Sequence, residues 1–271
     1  MLIIKIILSS LIIISLALVA QRVSSKVAGL LSALPMGTAL VLFFYGLEYG
    51  SSYVAEVSSF NILGLSASLI FVLFYYLGAK LFEDNTKSIL SAISISLIAY
   101  FITAFSLSMI EVKSALLPSL ILLSVVFISF YIFRNLKDTK VKNSKKVSTT
   151  QLILRSFVAT GFIVFISFAP EYLPSSLAGV ISSFPSVVVP LLLILHISFG
   201  KDSVFEAIKV MPLSYISILI YSLSIGYSYL TFGVYLGTLV SFIISIVYIL
   251  VLLYFTSVLA KAKIRTQVKT L

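Results

Sequence analysis

The residues with the clearest potential for chemistry are two prolines, Pro35 and Pro185, each of which lies inside a long apolar run. A proline inside a helix removes one backbone donor and frees the carbonyl of the preceding turn. Helices broken in this way present backbone groups to solutes or ions at the centre of some membrane transporters. A kink that serves only packing is the alternative, with neighbouring helices satisfying the freed carbonyl.

Small and kink-forming residues surround both prolines. Gly29 and Gly179 share about one helical face with them, and small residues let membrane helices approach closely, so we assign these two glycines to helix packing. Pro190 is expected to add a second kink in the later run only. The predicted substrate pathway is lined by Ser32, Pro35, Thr38, Ser182, Pro185, Pro190, His196 and Glu48.

His196 is the only histidine of the chain and lies near the end of its apolar run. An ionisable group at membrane depth suggests a function, and histidine titrates near neutral pH. We nevertheless favour a hydrogen-bonded interfacial histidine over a proton carrier. Glu48 follows the run that contains Pro35, and we expect it near the opposite face of the membrane from His196, so the two do not form a pair.

Other kinds of site are excluded or disfavoured by residue usage. The chain has no cysteine and one histidine, which excludes thiol chemistry, disulfides and a metal site built from several histidines. It also lacks a glycine-rich phosphate loop. We therefore expect no enzyme activity, no cofactor and no bound metal. Because acidic residues are nearly absent from the apolar runs, the predicted solute is small and neutral or weakly polar.

Composition indicates a membrane protein. Hydrophobic residues make up 60% of the 271 residues and charged residues only 10%, whereas soluble proteins carry about 25% charged residues. In lipid, only helices and closed barrels satisfy the backbone. The unbroken apolar runs have the length of about 20 residues that a helix needs to cross the membrane. The predicted fold is therefore an all-α polytopic membrane protein.

The apolar runs predict about nine transmembrane helices. The first run overlaps the pattern of a signal peptide, but it is long for one, and we interpret it as a retained span. A mixed segment at 198–211 separates two of the runs and has the pattern of an amphipathic helix. The predicted spans cover residues 2–20, 27–47, 60–82, 88–110, 115–133, 152–169, 177–197, 212–230 and 234–260.

Charge bias predicts the orientation. The net charge is +10, and the basic residues concentrate in short loops, in the segment 134–151 and in the tail 261–271. Cytoplasmic loops of membrane proteins are rich in lysine and arginine, which places both segments in the cytoplasm and the N-terminus outside the cell membrane. The loop with Glu48 and Glu56 then falls outside. This distribution serves topology, so we expect membrane lipids and no nucleic acid as partners.

An internal repeat with a spacing of 150 residues is the strongest organisational signal. Residues 25–57 align without a gap with 175–207. The identical pairs include Ala28 and Ala178, Gly29 and Gly179, Ser32 and Ser182, Pro35 and Pro185, Leu42 and Leu192, Gly50 and Gly200, Val54 and Val204, and Glu56 and Glu206.

This repeat predicts two four-span copies, at 1–110 and 152–260. An extra transmembrane helix at 111–133 and the basic linker 134–151 would join them. If the extra helix crosses the membrane, the second copy is inverted relative to the first, and inverted repeats hold the site of many transporters at their interface. If it does not cross, the copies are parallel.

The second copy resembles GlpM, a family of small bacterial inner-membrane proteins of roughly four spans. The resemblance rests on the A-G at Ala178 and Gly179, the F-P at Phe184 and Pro185, the histidine His196 shortly before S-F-G, and a following polar turn with a glutamate. It covers 152–254 and, more weakly, 2–110. It implies a membrane location and little more, and this chain departs from it by carrying two units and an extra span.

These observations favour a small-solute transporter or permease whose pathway lies between the two repeats. The alternative is a non-transport membrane scaffold or an accessory subunit of a membrane complex, which predicts a tightly packed interior. An enzyme acting on lipid would need a polar cluster that the spans lack. Self-association into a homo-oligomer is left open.

Overall fold

The computed structural model describes residues 1–22, 34–136 and 148–269, and all of their side chains except those of 16–22, 253 and 255–269. These residues contain helices and no strand, in agreement with the predicted helical membrane protein. The helices are α1 (Leu2–Arg22), α2 (Met36–Tyr49), α3 (Ser51–Ala79), α4 (Asn85–Ser108), α5 (Leu116–Phe133), α6 (Thr149–Ile166), α7 (Ala169–Tyr172), α8 (Ser175–Ile181), α9 (Val188–Phe199) and α10 (Lys201–Lys269).

Within the described residues, 5 helical stretches are long and apolar enough to cross a membrane by length and composition. They comprise α3, α4, α5, the stretch Thr149–Tyr172 and the stretch Lys201–Leu252. The apolar stretches Leu2–Ser15, Met36–Tyr49 and Val188–Phe199 are shorter. The chain is therefore a helical membrane protein, whereas the count of nine spans stays a prediction.

Helix α3 is the centre of the bundle. It packs against α2, α4, α5, α8 and α10. Of its membrane-length apolar segment, 78% is buried, against 28% for the corresponding segments of α4 and α5. A helix that is apolar on every side is expected where protein surrounds it. Helices α4 and α5 instead keep large apolar side chains exposed, as a surface in contact with lipid requires.

Three glycines reverse the chain between helices. Gly50, Gly200 and Gly233 have φ angles of 87°, 77° and 73°, a region that other residues rarely adopt. Gly233 divides α10 into a first arm (201–232) and a second arm (234–269). The arms lie side by side, because Ser217 contacts Ser245 at 2.9 Å and Tyr229 contacts Thr238 at 2.6 Å.

Contacts between side chains show which helix ends lie together. Lys5 near the start of α1 reaches Ser167 just after α6, and Ser10 further along reaches Thr160 earlier in α6, so α1 and α6 run antiparallel. We call the end of the bundle that holds Lys5 the Lys5 end. The opposite end, where Gln151 at the start of α6 contacts Ser198 at the end of α9, is called the His196 end.

Helix α5 has its C-terminus at the His196 end. Its last residue, Phe133, contacts Tyr76 near the end of α3 edge to face at 5.5 Å. Helix α4 starts at the same end, because Ser88 donates to the carbonyl of Ala79 at 2.8 Å, and α4 then runs back along α3. Helix α5 therefore begins at the Lys5 end and runs the length of the bundle.

Several predicted boundaries are wrong. The predicted span 177–197 is not continuous, because the helix stops after Ile181 and resumes only at Val188. The segment 198–211 is not a separate element, because residues 198 and 199 end α9, Gly200 forms the turn and residues 201–211 begin α10. The predicted outer loop with Glu48 and Glu56 shrinks to Gly50, since both glutamates lie in helices.

One smaller expectation also fails, and two helices extend into segments that we predicted as linker and tail. The second kink expected at Pro190 is absent from α9, because Pro190 lies in the first turn, where a missing N–H removes no bond within the helix. The predicted linker ends early, since α6 begins at Thr149. The backbone of α10 stays helical to Lys269, into the predicted tail.

Candidate functional site

The two predicted proline positions come together at the starts of α2 and α9. Pro35 immediately precedes α2, and Pro185 lies in the break between α8 and α9. A Cβ atom built on Gly37 would lie 2.6 Å from Oγ of Ser186 and 3.3 Å from a methyl group of Val187. The N-terminal turns of the two helices are therefore in direct contact.

The backbone follows the same course at both prolines. The N–H of Met36 donates to the carbonyl of Leu34 at 2.8 Å, and the N–H of Ser186 donates to that of Phe184 at 2.6 Å. The carbonyls of Pro35 and Pro185 then each accept the first helical hydrogen bond at 2.8 Å, from Ala39 and Val189. Both helices also end at a glycine of positive φ, Gly50 and Gly200.

Helices α2 and α9 point away from this junction toward opposite ends of the bundle. Glu48 at the end of α2 lies beside Lys5, at the Lys5 end. Ser198 at the end of α9 accepts a hydrogen bond from Gln151 at the His196 end. With 14 and 12 residues, the helices are about 21 and 18 Å long, so the junction lies about midway between the two ends.

Backbone donors at the junction lack acceptors. The first N–H groups of a helix have no partner within it, and the N-cap positions, Pro35 and Val187, provide no side-chain cap. Among the described residues, the N–H groups of Thr38, Val187 and Val188 donate to no carbonyl or side chain. The hydroxyls of Thr38 and Ser186 are buried beside them and make no hydrogen bond to a described residue.

A buried polar network that the sequence reasoning missed lies next to the break. Ser222 on α10 donates to Oδ1 of Asn61 at 2.7 Å, and Nδ2 of Asn61 donates to Oγ of Ser182 at 2.6 Å. Ser182 in turn donates to the carbonyl of Gly179 at 2.6 Å. Asn61 is fully buried, about 15 Å along α3 from its start. The signal was present in the sequence, since Asn61 is the one amide side chain in an otherwise apolar run.

Close packing holds the α8 segment against α3. A Cβ on Gly179 would lie 2.6 Å from Cβ of Phe60, so the lack of a side chain lets α8 approach α3 closely. A Cβ on Gly64 would overlap the carbonyl oxygen of Val180 and Oγ of Ser183. The two glycines bring the broken segment close enough to α3 for Asn61 to reach Ser182.

Glu48 forms a buried ion pair at the Lys5 end. Nζ of Lys5 lies 2.6 Å from Oε2 of Glu48, and the two side chains are 0% and 17% exposed. The ammonium also lies 4.1 Å from the ring centre of Phe168, a cation–π contact. Glu48 is thus the counter-ion of Lys5 and does not contact the junction of α2 and α9, although it was predicted to line the pathway.

His196 is buried and hydrogen-bonded at the His196 end. Its Nδ1 lies 3.3 Å from the hydroxyl of Tyr75, and its Nε2 lies 3.2 Å from Oγ of Ser88. Because Ser88 donates its proton to the carbonyl of Ala79, its oxygen accepts from Nε2–H. We therefore assign the neutral tautomer with its proton on Nε2, in which Nδ1 accepts from the hydroxyl of Tyr75. The arrangement matches the hydrogen-bonded histidine that we favoured, and His196 contacts neither Glu48 nor the junction.

Of the remaining predicted pathway residues, some lie at the junction and others do not. The structure brings Pro35, Thr38, Ser182 and Pro185 to the junction or its immediate surroundings. Ser32 and Gly29 lie outside the described residues. A cavity of about 190 Å³ lies beside α2, toward α1 and the second arm of α10, and not between α2 and α9. Its lining includes Leu8, Ile12, Met36, Phe43, Thr238 and Phe242.

Comparison with known proteins does not assign the chain to a family. No protein-family model matches the chain, and no curated protein or solved structure matches it either. The resemblance to GlpM therefore stays a prediction. No group of three or more histidine, cysteine, aspartate or glutamate residues in the described part of the chain is arranged to hold a metal ion.

Proposed function

We propose that the chain is a small-solute transporter or permease built from two inverted four-helix copies, with its pathway at the junction of α2 and α9. The observation that carries this proposal is the contact between Gly37 and Ser186, where two oppositely directed half-length helices begin at matched prolines. Non-helical backbone at membrane depth is tolerated where it is buried in protein or lines a cavity. In transporters with inverted repeats, such discontinuous helices form the site.

The antiparallel course of equivalent helices supports the inverted arrangement. Helices α1 and α6 are equivalent at the spacing of 150 residues, and they run in opposite directions. Helices α2 and α9 are equivalent too, and their C-termini lie at opposite ends of α6. An α5 that runs the length of the bundle accounts for the reversal.

The junction favours a solute that presents a hydrogen-bond acceptor. Each helix N-terminus carries a partial positive charge and free N–H groups. Two such termini meet here without an acidic side chain among their described neighbours. A carbonyl, hydroxyl or carboxylate oxygen of a small solute would accept from the N–H groups of Thr38 and Val188 and from the hydroxyl of Ser186.

The distribution of charge supports a cytoplasmic His196 end in the cell membrane. Arg134, Lys201 and Lys209 lie at that end, where Lys201 contacts Glu83 and Lys209 contacts the carbonyl of Leu136. The Lys5 end holds Glu48 and Glu171, and the ammonium of Lys5 is paired with Glu48. Basic residues concentrate on the cytoplasmic side of membrane proteins, so the N-terminus would face outward.

A cysteine cross-link at the junction tests the proposal, because the natural chain contains no cysteine. Gly37→Cys with Ser186→Cys would tie the starts of α2 and α9 together. Flux of a panel of neutral, zwitterionic and anionic solutes is measured in proteoliposomes before and after oxidation. We expect at least one solute to move faster than through empty liposomes, oxidation to stop that flux and a reductant to restore it.

Ser217→Cys with Ser245→Cys is the matched control, because these side chains are 2.9 Å apart within the two arms of α10. Its oxidation should leave the flux unchanged. An absence of flux for every solute, or equal flux in the oxidised and reduced junction variants, would contradict a pathway at this place.

A non-transport scaffold remains the second candidate, and one observation favours it. Gly37 and Ser186 are packed in contact, and the cavity beside α2 is lined by residues of α1, α2 and α10 and not by α9. A scaffold would keep this contact closed at all times. The cross-link would then form rapidly and completely without any consequence for a measurable flux.

A further inference from the structure

Arg155 differs from every other described cation discussed above because it has no partner. It lies in α6, about 9 Å from the start of the helix, and its side chain is only partly exposed. Among the described residues it makes no salt bridge, no hydrogen bond and no cation–π contact. Placing an unpaired cation within a membrane helix is unfavourable in free energy, so such a residue suggests a functional site.

The equivalent cation in the first copy shows what is missing. At the spacing of 150 residues, Arg155 corresponds to Lys5 and Ser198 corresponds to Glu48. Lys5 is completely buried and is paired with the carboxylate of Glu48 at 2.6 Å. The second copy keeps the cation but has a serine at the position of its counter-ion.

A polar side chain one turn before Arg155 and its hydrogen-bond partner on α9 can both donate hydrogen bonds. Gln151 lies one turn earlier on the same face of α6, and its Nε2 donates to Oγ of Ser198 at 2.7 Å. Ser198 accepts this bond and donates to no described residue, so its hydroxyl proton is free. The guanidinium, the amide and the hydroxyl together form the donor set that a carboxylate or phosphate oxygen needs.

Arg155 differs from a cation whose side chain simply extends to the membrane surface. Lys80, at the same end of the bundle, is such a residue: it is exposed and contacts the hydroxyl of Tyr76 at 3.3 Å. Arg155 lies deeper in its helix and is partly covered. The difference between the two cations makes Lys80 a control.

We propose that Arg155, Gln151 and Ser198 bind the oxyanion of a carboxylate or phosphate group, which takes the place that Glu48 occupies beside Lys5. The inference rests on the proposed duplication, and it identifies the chemical class that the His196 end recognises. The oxyanion belongs either to a soluble small acid or to an acidic lipid headgroup. Both sources share the same chemistry, and binding measurements separate them.

The test measures binding and not flux, so that its result is independent of transport. Purified protein is titrated with acetate and with inorganic phosphate at constant ionic strength, and the rise in apparent Tm is followed by circular dichroism. Nanodiscs of phosphatidylcholine with and without phosphatidylglycerol serve as the lipid arm, with bound lipid counted by native mass spectrometry. We expect saturable binding in one arm, and that arm identifies the source.

Two substitutions should remove the site. Arg155→Gln should weaken binding by about tenfold or more, because hydrogen bonds to a charged group are the strong ones. Arg155→Lys keeps the charge and should retain part of the affinity, which separates loss of the site from loss of folding. Ser198→Glu should abolish binding by supplying an internal carboxylate, and it should raise the Tm in the absence of ligand.

Glu48→Ser provides the reverse experiment, since it should create a second oxyanion site beside Lys5. Lys80→Gln should leave binding unchanged. Failure of both anion classes to bind the natural chain overturns the proposal. So does binding by Arg155→Gln or Ser198→Glu that is as tight as binding by the natural chain. If a pathway exists without this site, flux persists in the cross-linking experiment while binding is absent here.

Discussion

Ser10 on α1 donates a hydrogen bond to Thr160 on α6 across 3.4 Å, and the two residues are separated by 150 positions in the sequence. Gly37 and Val187 have the same separation and also lie in contact. Equivalent residues touch each other where a two-fold axis passes between two copies. The proposed inverted copies would give these two contacts if their axis ran between α1 and α6 and between the starts of α2 and α9.

Removing one partner of the buried ion pair should destabilise the protein strongly. We expect Glu48→Gln to cost about 3 kcal/mol, the lower end of the range for breaking a buried pair, because it leaves the ammonium of Lys5 without a counter-charge. The double substitution Lys5→Met with Glu48→Leu should recover most of this loss. Equilibrium unfolding in mixed micelles measures both.

The exposed pair Glu111 and Lys113 is the matched control. Its atoms are 3.6 Å apart and its side chains are 82% and 84% exposed, so Glu111→Gln should change stability by less than about 1 kcal/mol. Equal effects of Glu48→Gln and Glu111→Gln would show that the Lys5 pair is not buried in the membrane-embedded protein.

The class of fold could be predicted from the sequence. The low fraction of charged residues indicates that the chain lies in lipid, where only helices and closed barrels satisfy the hydrogen bonds of the backbone. The proline pair could also be predicted from the sequence, because two aligned apolar runs rarely share a proline at the same position by chance. What proline does there was not predictable. Whether Pro185 kinks a helix or ends it depends on contacts such as those of Gly64 with Val180 and Ser183.

Ion pairs and hydrogen-bonded networks were the least predictable features. Lys5 and Glu48 are 43 residues apart, and the sequence carries no sign that they meet. Asn61, Ser182 and Ser222 come from three separate helices, and each alone is an ordinary polar residue in a span. Only the tertiary arrangement distinguishes them from serines that bond to their own helix, such as Ser106 with Ile102.

Gly64→Ala should be strongly destabilising because the new methyl group would overlap the backbone of Val180. Overpacking of a closely packed contact costs about 1–3 kcal/mol, and here the neighbouring atom is a backbone oxygen that has little freedom to move. Gly161→Ala is the control, since nothing lies within 4 Å of a Cβ built there. That change should be neutral or stabilising by up to about 1 kcal/mol, the difference in helix propensity. Similar melting temperatures for the two variants would contradict the close approach of α8 to α3.

Asn61→Leu should weaken the attachment of the broken segment. The substitution leaves the hydroxyls of Ser182 and Ser222 without one partner each, and a buried unsatisfied polar group costs about 1–3 kcal/mol. Because Ser182 keeps its hydrogen bond to the carbonyl of Gly179, the unsatisfied hydroxyl of Ser222 should account for more of the lost stability. Ser106→Ala, an exposed hydroxyl bonded within its own helix, should have almost no effect. Hydrogen exchange at residues 182–187 should accelerate in Asn61→Leu and remain slow in the control. Unchanged exchange in Asn61→Leu would show that the network does not hold the segment between α8 and α9 in place.

The hydrogen bonds of His196 predict unequal effects for its two neighbours. Ser88→Ala leaves both the carbonyl of Ala79 and the Nε2–H of His196 without a partner, whereas Tyr75→Phe leaves only the acceptor Nδ1. We therefore expect Ser88→Ala to be the more destabilising of the two.

A double-mutant cycle between Tyr75→Phe and His196→Phe isolates the direct bond. It should give a coupling of about 0.6 kcal/mol, the usual strength of a hydrogen bond between membrane helices. The stability of Ser124→Ala, whose hydroxyl is exposed and bonds only to Leu120 of the same helix, sets the baseline. A larger loss for Tyr75→Phe than for Ser88→Ala would mean that the imidazole proton is on Nδ1, with Tyr75 as its acceptor, and would reverse the tautomer derived from Ser88.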